Sequence, residues 1–364
     1  MEKLDISKYH FPFEGDKHLF TAICLPYRED TWREKAIPAL KEYLEVVKAI
    51  AEFEPVVVVY SKYVNKEYLE KFKIKNVILV NIEYDDSWAR DTLPVFLKDD
   101  NDNLLGVDYG FNSWGGNYNG LYSNWDNDNK LGELFLKRFN IPRFSKKDFI
   151  LEGGSIHTNG KDELITTSCC LLSKGRNPSL NKDQISSNLI NTLNLKKITY
   201  IPNGIYNDET TGHVDNIACF LDENTILIAA SDDKDDYQYS LSNEDIEILE
   251  NQTNYKIIKM VLPKPMYLTK EQEQGIINNN TAIKRVQGRR LAASYVNFYM
   301  SDKFIILPKF GVKEDDIAKQ ILEDFYKGSK KIIQVYSKEI LLGGGNIHCI
   351  TKQVPFSNKY KIGV

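Results

Sequence analysis

The feature that most constrains the fold of this 364-residue chain is a segment that occurs twice. Leu151-Glu152-Gly153-Gly154-Ser155-Ile156-His157 resembles Leu342-Gly343-Gly344-Gly345-Asn346-Ile347-His348. Three further polar signatures are Trp88-Ala89-Arg90-Asp91, Gly212-His213-Val214-Asp215-Asn216 and Ala293-Ser294-Tyr295-Val296-Asn297, each followed by an apolar, strand-like run. The five stand roughly 64 residues apart on average, long for a solenoid but suited to a β-rich supersecondary unit. Five such units closing into a ring would bring their polar signatures to one axial cavity.

Periodicity supplies the units. From Trp32 to Phe53, Ile37, Leu40, Leu44, Val47 and Ile50 share a helical face, and the buried-strand pattern Val56 to Tyr60 follows. Further helices are expected at Lys130 to Phe139, Lys182 to Leu193, Asn243 to Asn251 and Glu314 to Tyr326. Short β-branched strands fall between them at Asn76 to Val80, Ile198 to Ile201, Ile226 to Ala230, Ile257 to Val261, Phe304 to Leu307 and Ile332 to Val335. The alternation predicts an α/β architecture. No composition shift marks a boundary, so a single domain over residues 1–364 is expected.

A net charge of −4 with interspersed signs provides no footprint for nucleic acid or an anionic membrane. The segment Met1 to Pro12 lacks the apolar core of a signal peptide. Five cysteines, at 24, 169, 170, 219 and 349, are odd in number and lack CxxC spacing, which predicts free thiols in a cytoplasmic protein. Cys24, Cys169, Cys170 and Cys219 lie in apolar runs and read as core. Cys349 instead ends a glycine-rich polar segment and reads either as a buried small hydrophobe or as a nucleophile on a loop.

His213 and Asp215 alternate as on a strand, facing one side, and read as a base with a charge-fixing carboxylate, a metal pair, or a satisfied structural histidine. Glu152 stands before two glycines, and Asp91 follows Trp88 and Arg90. His157 and His348 occupy matching repeat positions and read as structural. Three carboxylates, a histidine and a cysteine around one cavity suit a planar cation such as a guanidinium, whose fork of donors carboxylates match bidentately. Its resonance-stabilised carbon calls for a covalent thiolate route, and no metal or cofactor is needed.

The chain resembles the agmatine deiminases of the guanidino-group-modifying, or pentein, superfamily, with the Porphyromonas-type peptidyl-arginine deiminases as close relatives. The resemblance rests on Arg28-Glu29-Asp30-Thr31-Trp32, Asp86 to Asp91, Gly110-Phe111-Asn112-Ser113-Trp114-Gly115-Gly116, Leu151 to His157, Gly175-Arg176-Asn177-Pro178, Gly212 to Phe220, Arg290 to Tyr295 and Gly343 to Cys349. It implies a five-bladed α/β propeller with pseudo-fivefold symmetry and a homo-oligomer, a dimer or larger. It implies Cys349 as nucleophile, Glu152 and His213 as the proton-transfer pair, Asp91 and Asp215 as the guanidinium grip, and Trp88 as a pocket wall. The expected reaction converts agmatine to N-carbamoylputrescine and ammonia through an amidino-cysteine. Arginine or peptidyl-arginine deimination, a non-catalytic guanidinium-binding protein and a metal-dependent hydrolase are the competing readings. One departure stands out: where relatives carry a Met-Pro-Ala-Glu-Trp-like segment, this chain has His10-Phe11-Pro12-Phe13-Glu14-Gly15, which points to a change at the pocket rim.

Overall fold

A computed structural model describes residues 5–362 and arranges them as five separate sheets, each assembled by the same local rule. Two strands pair antiparallel, and a helix then carries the chain to a third strand lying parallel to the second, a connection that parallel pairing requires. The unit is plainest in Ala218–Asp222, Thr225–Ala230 and Lys256–Val261, joined across Tyr237–Gln252. It recurs in Ile156–Thr158, Glu163–Thr167 and Lys197–Ile201, and in Tyr299–Met300, Phe304–Lys309 and Lys331–Tyr336. Val95–Asp99, Leu104–Gly110 and Arg143–Ile150 form a fourth unit, edged by Tyr9–His10. The fifth joins both ends of the chain: Thr351–Pro355 pairs antiparallel with His18–Cys24, which runs parallel to Val56–Tyr60, itself parallel to Val77–Asn81. The architecture is α/β.

The elements form where the sequence encodes them. Lys182–Leu193 starts at a capping box between Asn181 and Gln184, buries Ile185, Leu189 and Leu193, and stops at Asn194 with φ 55°. Val56 to Val59 are all fully buried, the pattern of a strand covered on both faces. The helix expected from Trp32 occupies Ile37–Ala51 instead, because Glu34, Lys35 and Ala36 all take positive φ and cannot continue a right-handed helix. Among the described residues, no helix is long and apolar enough to cross a membrane.

The polar signatures become tight turns ahead of their strands. Ala89–Thr92, Val214–Ile217 and Ile347–Ile350 are single helical turns, and Gly153–Ser155 is a 3-10 turn. Two local expectations are corrected here. His213 and Asp215 do not alternate along a strand: His213 precedes the turn Val214–Ile217, and Asp215 lies within it. Cys349 sits inside the turn Ile347–Ile350 rather than on a glycine loop, the glycines lying just upstream.

Candidate active site

These turns bring the expected residues together. The Cys349 sulfur lies 3.5 Å from Asp215 Oδ2 and accepts a hydrogen bond from Asn297 Nδ2 at 3.1 Å. Asn297 Oδ1 in turn accepts the backbone N–H groups of His348 and Cys349, at 3.0 and 3.3 Å, which fixes the turn carrying the thiol. Asp91 accepts from Trp114 Nε1 at 2.9 Å and from the Gly154 N–H at 2.8 Å. Glu152 is held by Arg176, whose Nε lies 3.0 Å from Oε1. Arg176 also donates to the carbonyls of Trp114 and Thr210.

His213 lies between two of these carboxylates. Its Nδ1 is 3.8 Å from Asp91 and its Nε2 is 3.8 Å from Glu152. The ring is fully buried, yet among the described residues neither nitrogen has a hydrogen-bond partner, and Asp215 Oδ1 is likewise unpartnered. Buried polar atoms without partners cost about 1–3 kcal/mol each, so this concentration in one place marks a site shaped for a polar ligand.

The electrostatics set the protonation states. Burial alone opposes charge on His213, but Asp91, Cys170 and Glu152 hold its pKa well above the ordinary imidazole value. Burial opposes charge on Glu152 too, but Arg176 and His213 draw its pKa down to about 2. Asp91 is raised, by burial and by repulsion from Asp215 and Glu152. Burial, with the negative charges of Asp215 and Asp91, holds the Cys349 thiol well above its usual range. These influences favour the cationic form of His213 and the ionised form of Glu152, and leave Cys349 as a thiol that needs a cation beside it to ionise.

A cavity opens beside Cys349, lined in part by Trp88, Asp91, Trp114, Tyr122, Glu209 and Arg285. Trp88 stacks on Trp32 with ring centroids 5.2 Å apart and donates Nε1 to Asp86 at 3.1 Å, so this wall is held from behind. At another part of the cavity, Arg285 grips both Glu209 oxygens, at 3.0 and 2.6 Å.

No residue of His10 to Gly15 lines this cavity, which corrects the expected change at the rim. The segment delivers Glu14 to the back of the site. There Glu14 bonds Arg90 at 2.7 Å and His348 Nε2 at 2.8 Å, while His348 Nδ1 meets Asp215 Oδ2 at 2.9 Å. His348 therefore touches a site carboxylate directly, whereas His157 accepts the Phe220 N–H and lies 3.6 Å from Glu14. Cys169 is exposed, against the core position expected of it. Arg176, Asn297, Trp114 and Glu14 carry no role in the sequence reading, although each lies inside a segment singled out above.

The sequence profile of the Porphyromonas-type peptidyl-arginine deiminases matches residues 10–355. A Listeria monocytogenes protein assigned by name to the agmatine deiminases is 43% identical over 354 residues, covering 95% of this chain and 96% of its own length. The structure is similar to that of Enterococcus faecalis agmatine deiminase, with a TM-score of 0.93, 31% identity and 98% of each chain covered. It is also similar to a cysteine-to-serine variant of C. jejuni agmatine deiminase with substrate bound, at a TM-score of 0.83, 29% identity and 96% coverage of each chain.

Proposed function

We propose that this chain, which belongs to the Porphyromonas-type peptidyl-arginine deiminase family, hydrolyses agmatine to N-carbamoylputrescine and ammonia. The observation that carries the reading is the thiol of Cys349 against buried Asp215, with buried Asp91 on the wall of the same cavity and His213 3.8 Å behind Asp91. A guanidinium, cationic below pH of about 12 and a donor through every nitrogen, satisfies both carboxylates at once. Asp91 and the free oxygen of Asp215 take its N–H groups, Trp88 covers its face, and its charge offsets the repulsion that keeps Cys349 protonated.

As the cation docks, the Cys349 thiol releases its proton to solvent, and the thiolate attacks the guanidinium carbon, forming a carbon–sulfur bond as a carbon–nitrogen π pair moves onto nitrogen to give a tetrahedral adduct. Glu152 holds His213 as the imidazolium, which gives its proton to a leaving nitrogen. Ammonia departs as its carbon–nitrogen bond breaks, leaving an amidino-cysteine. Neutral His213 next takes a proton from water, whose oxygen adds to the same carbon. Collapse forms the carbonyl, breaks the carbon–sulfur bond and releases the ureido product, the hydroxyl proton passing to the departing sulfur to restore the Cys349 thiol. Splitting one barrier into two through a covalent intermediate is what the thiol contributes.

The cavity favours agmatine over arginine. Arg285 is the cation among its lining residues, and it is already engaged by both Glu209 oxygens and the Gly343 carbonyl at 2.9 Å. A substrate α-carboxylate would have to break that pairing, whereas an ammonium joins a wall that also carries Asp86 and Glu209. Ammonia release from agmatine, arginine and a peptidyl-arginine tests this: agmatine should turn over fastest, and turnover of another compound with none of agmatine would refute it.

The five units, with the chain's two ends sharing one sheet, support a single five-bladed domain of ββαβ-like repeats about a pseudo-fivefold axis. All five cysteines are free thiols, which suits a reducing cytoplasm. The enzyme is further proposed to assemble as a homo-oligomer, a dimer or larger, which sedimentation would test.

A further inference from the structure

Cys170 touches no reacting atom in the chemistry above, yet it is fully buried with its sulfur beside Glu152 and His213. One ligand atom each from Glu152, Cys170 and His213 lie within 4.8 Å of one another. We propose that these three residues form an inhibitory site for a borderline-soft divalent cation of the zinc class.

The distances favour a shared ion over direct bonds. Two nitrogen or oxygen ligands of a tetrahedral zinc, each about 2.0–2.2 Å from it, stand about 3.4 Å apart, and a thiolate stands about 3.6 Å from either. His213 Nε2 and Glu152 Oε2 are 3.8 Å apart, too far to hydrogen-bond but within a few tenths of an ångström of that ligand spacing. Both ring nitrogens of His213 are buried and unpartnered, so one lone pair is free for an ion once the ring is neutral. Imidazole, thiolate and carboxylate together select zinc-like ions over magnesium or calcium, which prefer all-oxygen shells.

Arg176 lies against Glu152, but a carboxylate has about four lone-pair positions, so an arginine can support the same group that ligates a metal. The second cluster of ligand-type residues, Glu14, His157 and His348, lacks this character. There Glu14 and His348 are already joined at 2.8 Å, and Glu14 is also ion-paired with the buried Arg90 at 2.7 Å. The route to the proposed site is the cavity beside Cys349, whose wall includes Asp91 and Thr210. Cys170 packs against the Thr210 carbonyl, with its sulfur 4.0 Å away. An ion held here occupies the proton-transfer pair and repels an incoming guanidinium.

The inference rests on the roles given to His213 and Glu152 only for its inhibitory effect, so binding and activity are measured separately. Full-length protein carrying Cys349→Ser is titrated with Co²⁺, and the near-ultraviolet thiolate-to-cobalt charge-transfer band is followed. One equivalent should give the band, and adding Cys170→Ala or Cys170→Ser should remove it while Cys169→Ser leaves it. A band absent from the Cys349→Ser protein, or unchanged by both Cys170 substitutions, overturns the site. In the Cys349-intact enzyme, Zn²⁺ should suppress agmatine turnover, and the Cys170 variants should need roughly tenfold more or higher to lose half their own zinc-free rate. Equal zinc sensitivity would place inhibition at Cys349 and refute the proposal. Cobalt binding without agmatine turnover would count against the assigned reaction and leave the metal site standing.

Discussion

Gly154 offers the sharpest test of the site's geometry, because a single methyl group there would occupy its centre. A Cβ built on Gly154 falls 2.6 Å from His213 Nδ1, 2.8 Å from Asp215 Oδ2 and 2.9 Å from Asp91 Oδ1. Ordinary non-bonded contact begins near 3.5 Å, so each group must retreat by roughly 0.6–0.9 Å. Misplacements approaching 1 Å cost about 10²-fold in rate, equivalent to about 2.7 kcal/mol of barrier. Gly154→Ala should therefore lower kcat for ammonia release from agmatine by about 10²-fold. Overpacking should also reduce stability by about 1–3 kcal/mol. Gly328→Ala separates the two effects. Gly328 has φ +85°, and a methyl group there would meet no atom within 4 Å, so this variant bears backbone strain alone, about 1–2 kcal/mol. It should melt earlier yet keep wild-type kcat. A folded Gly154→Ala enzyme with wild-type kcat would refute the placement of these three side chains around the reacting centre.

Two further outcomes follow from the charges. Glu14→Gln removes the carboxylate between buried Arg90 and His348, and should cost about 3–5 kcal/mol in chemical denaturation, as expected for an uncompensated buried charge. It should also lower kcat, because His348 would no longer be braced against Asp215. Glu152 has a folded pKa of about 2 against an ordinary 4.5, so its contribution to stability is complete above pH 4.5 and is lost as pH falls through about 2. Thermal melts across that window should decline less steeply for Glu152→Gln than for wild type; parallel declines would show that Arg176 does not hold the carboxylate ionised.

The residues legible in the sequence are those whose environment is local. Lys182–Leu193 and Glu314–Tyr326 match their periodic signals residue for residue, since caps and apolar spacing are encoded within the segment itself. The repeated signatures likewise disclose Asp91, Glu152, His213, Asp215 and Cys349 as a set. What escapes depends on partners distant in the chain. Glu14 meets His348 across 334 positions, and Asn297 meets Cys349 across 52. No local pattern encodes such pairings. His213 and Asp215 read as strand because three residues are too few to separate a helical turn from an alternation. The outward face of Cys169 escapes for a similar reason: two adjacent cysteines in an apolar run give no indication of which one turns inward.

The central claim is that Cys349 carries the reacting carbon through a covalent intermediate. Acid-quenched enzyme taken during agmatine turnover and analysed by mass spectrometry tests it most directly. The covalent route predicts a population heavier by one agmatine less one ammonia, with the added mass on the peptide containing Cys349, and neither adduct nor ammonia release in Cys349→Ser. Undiminished ammonia release by the Cys349→Ser protein would contradict it.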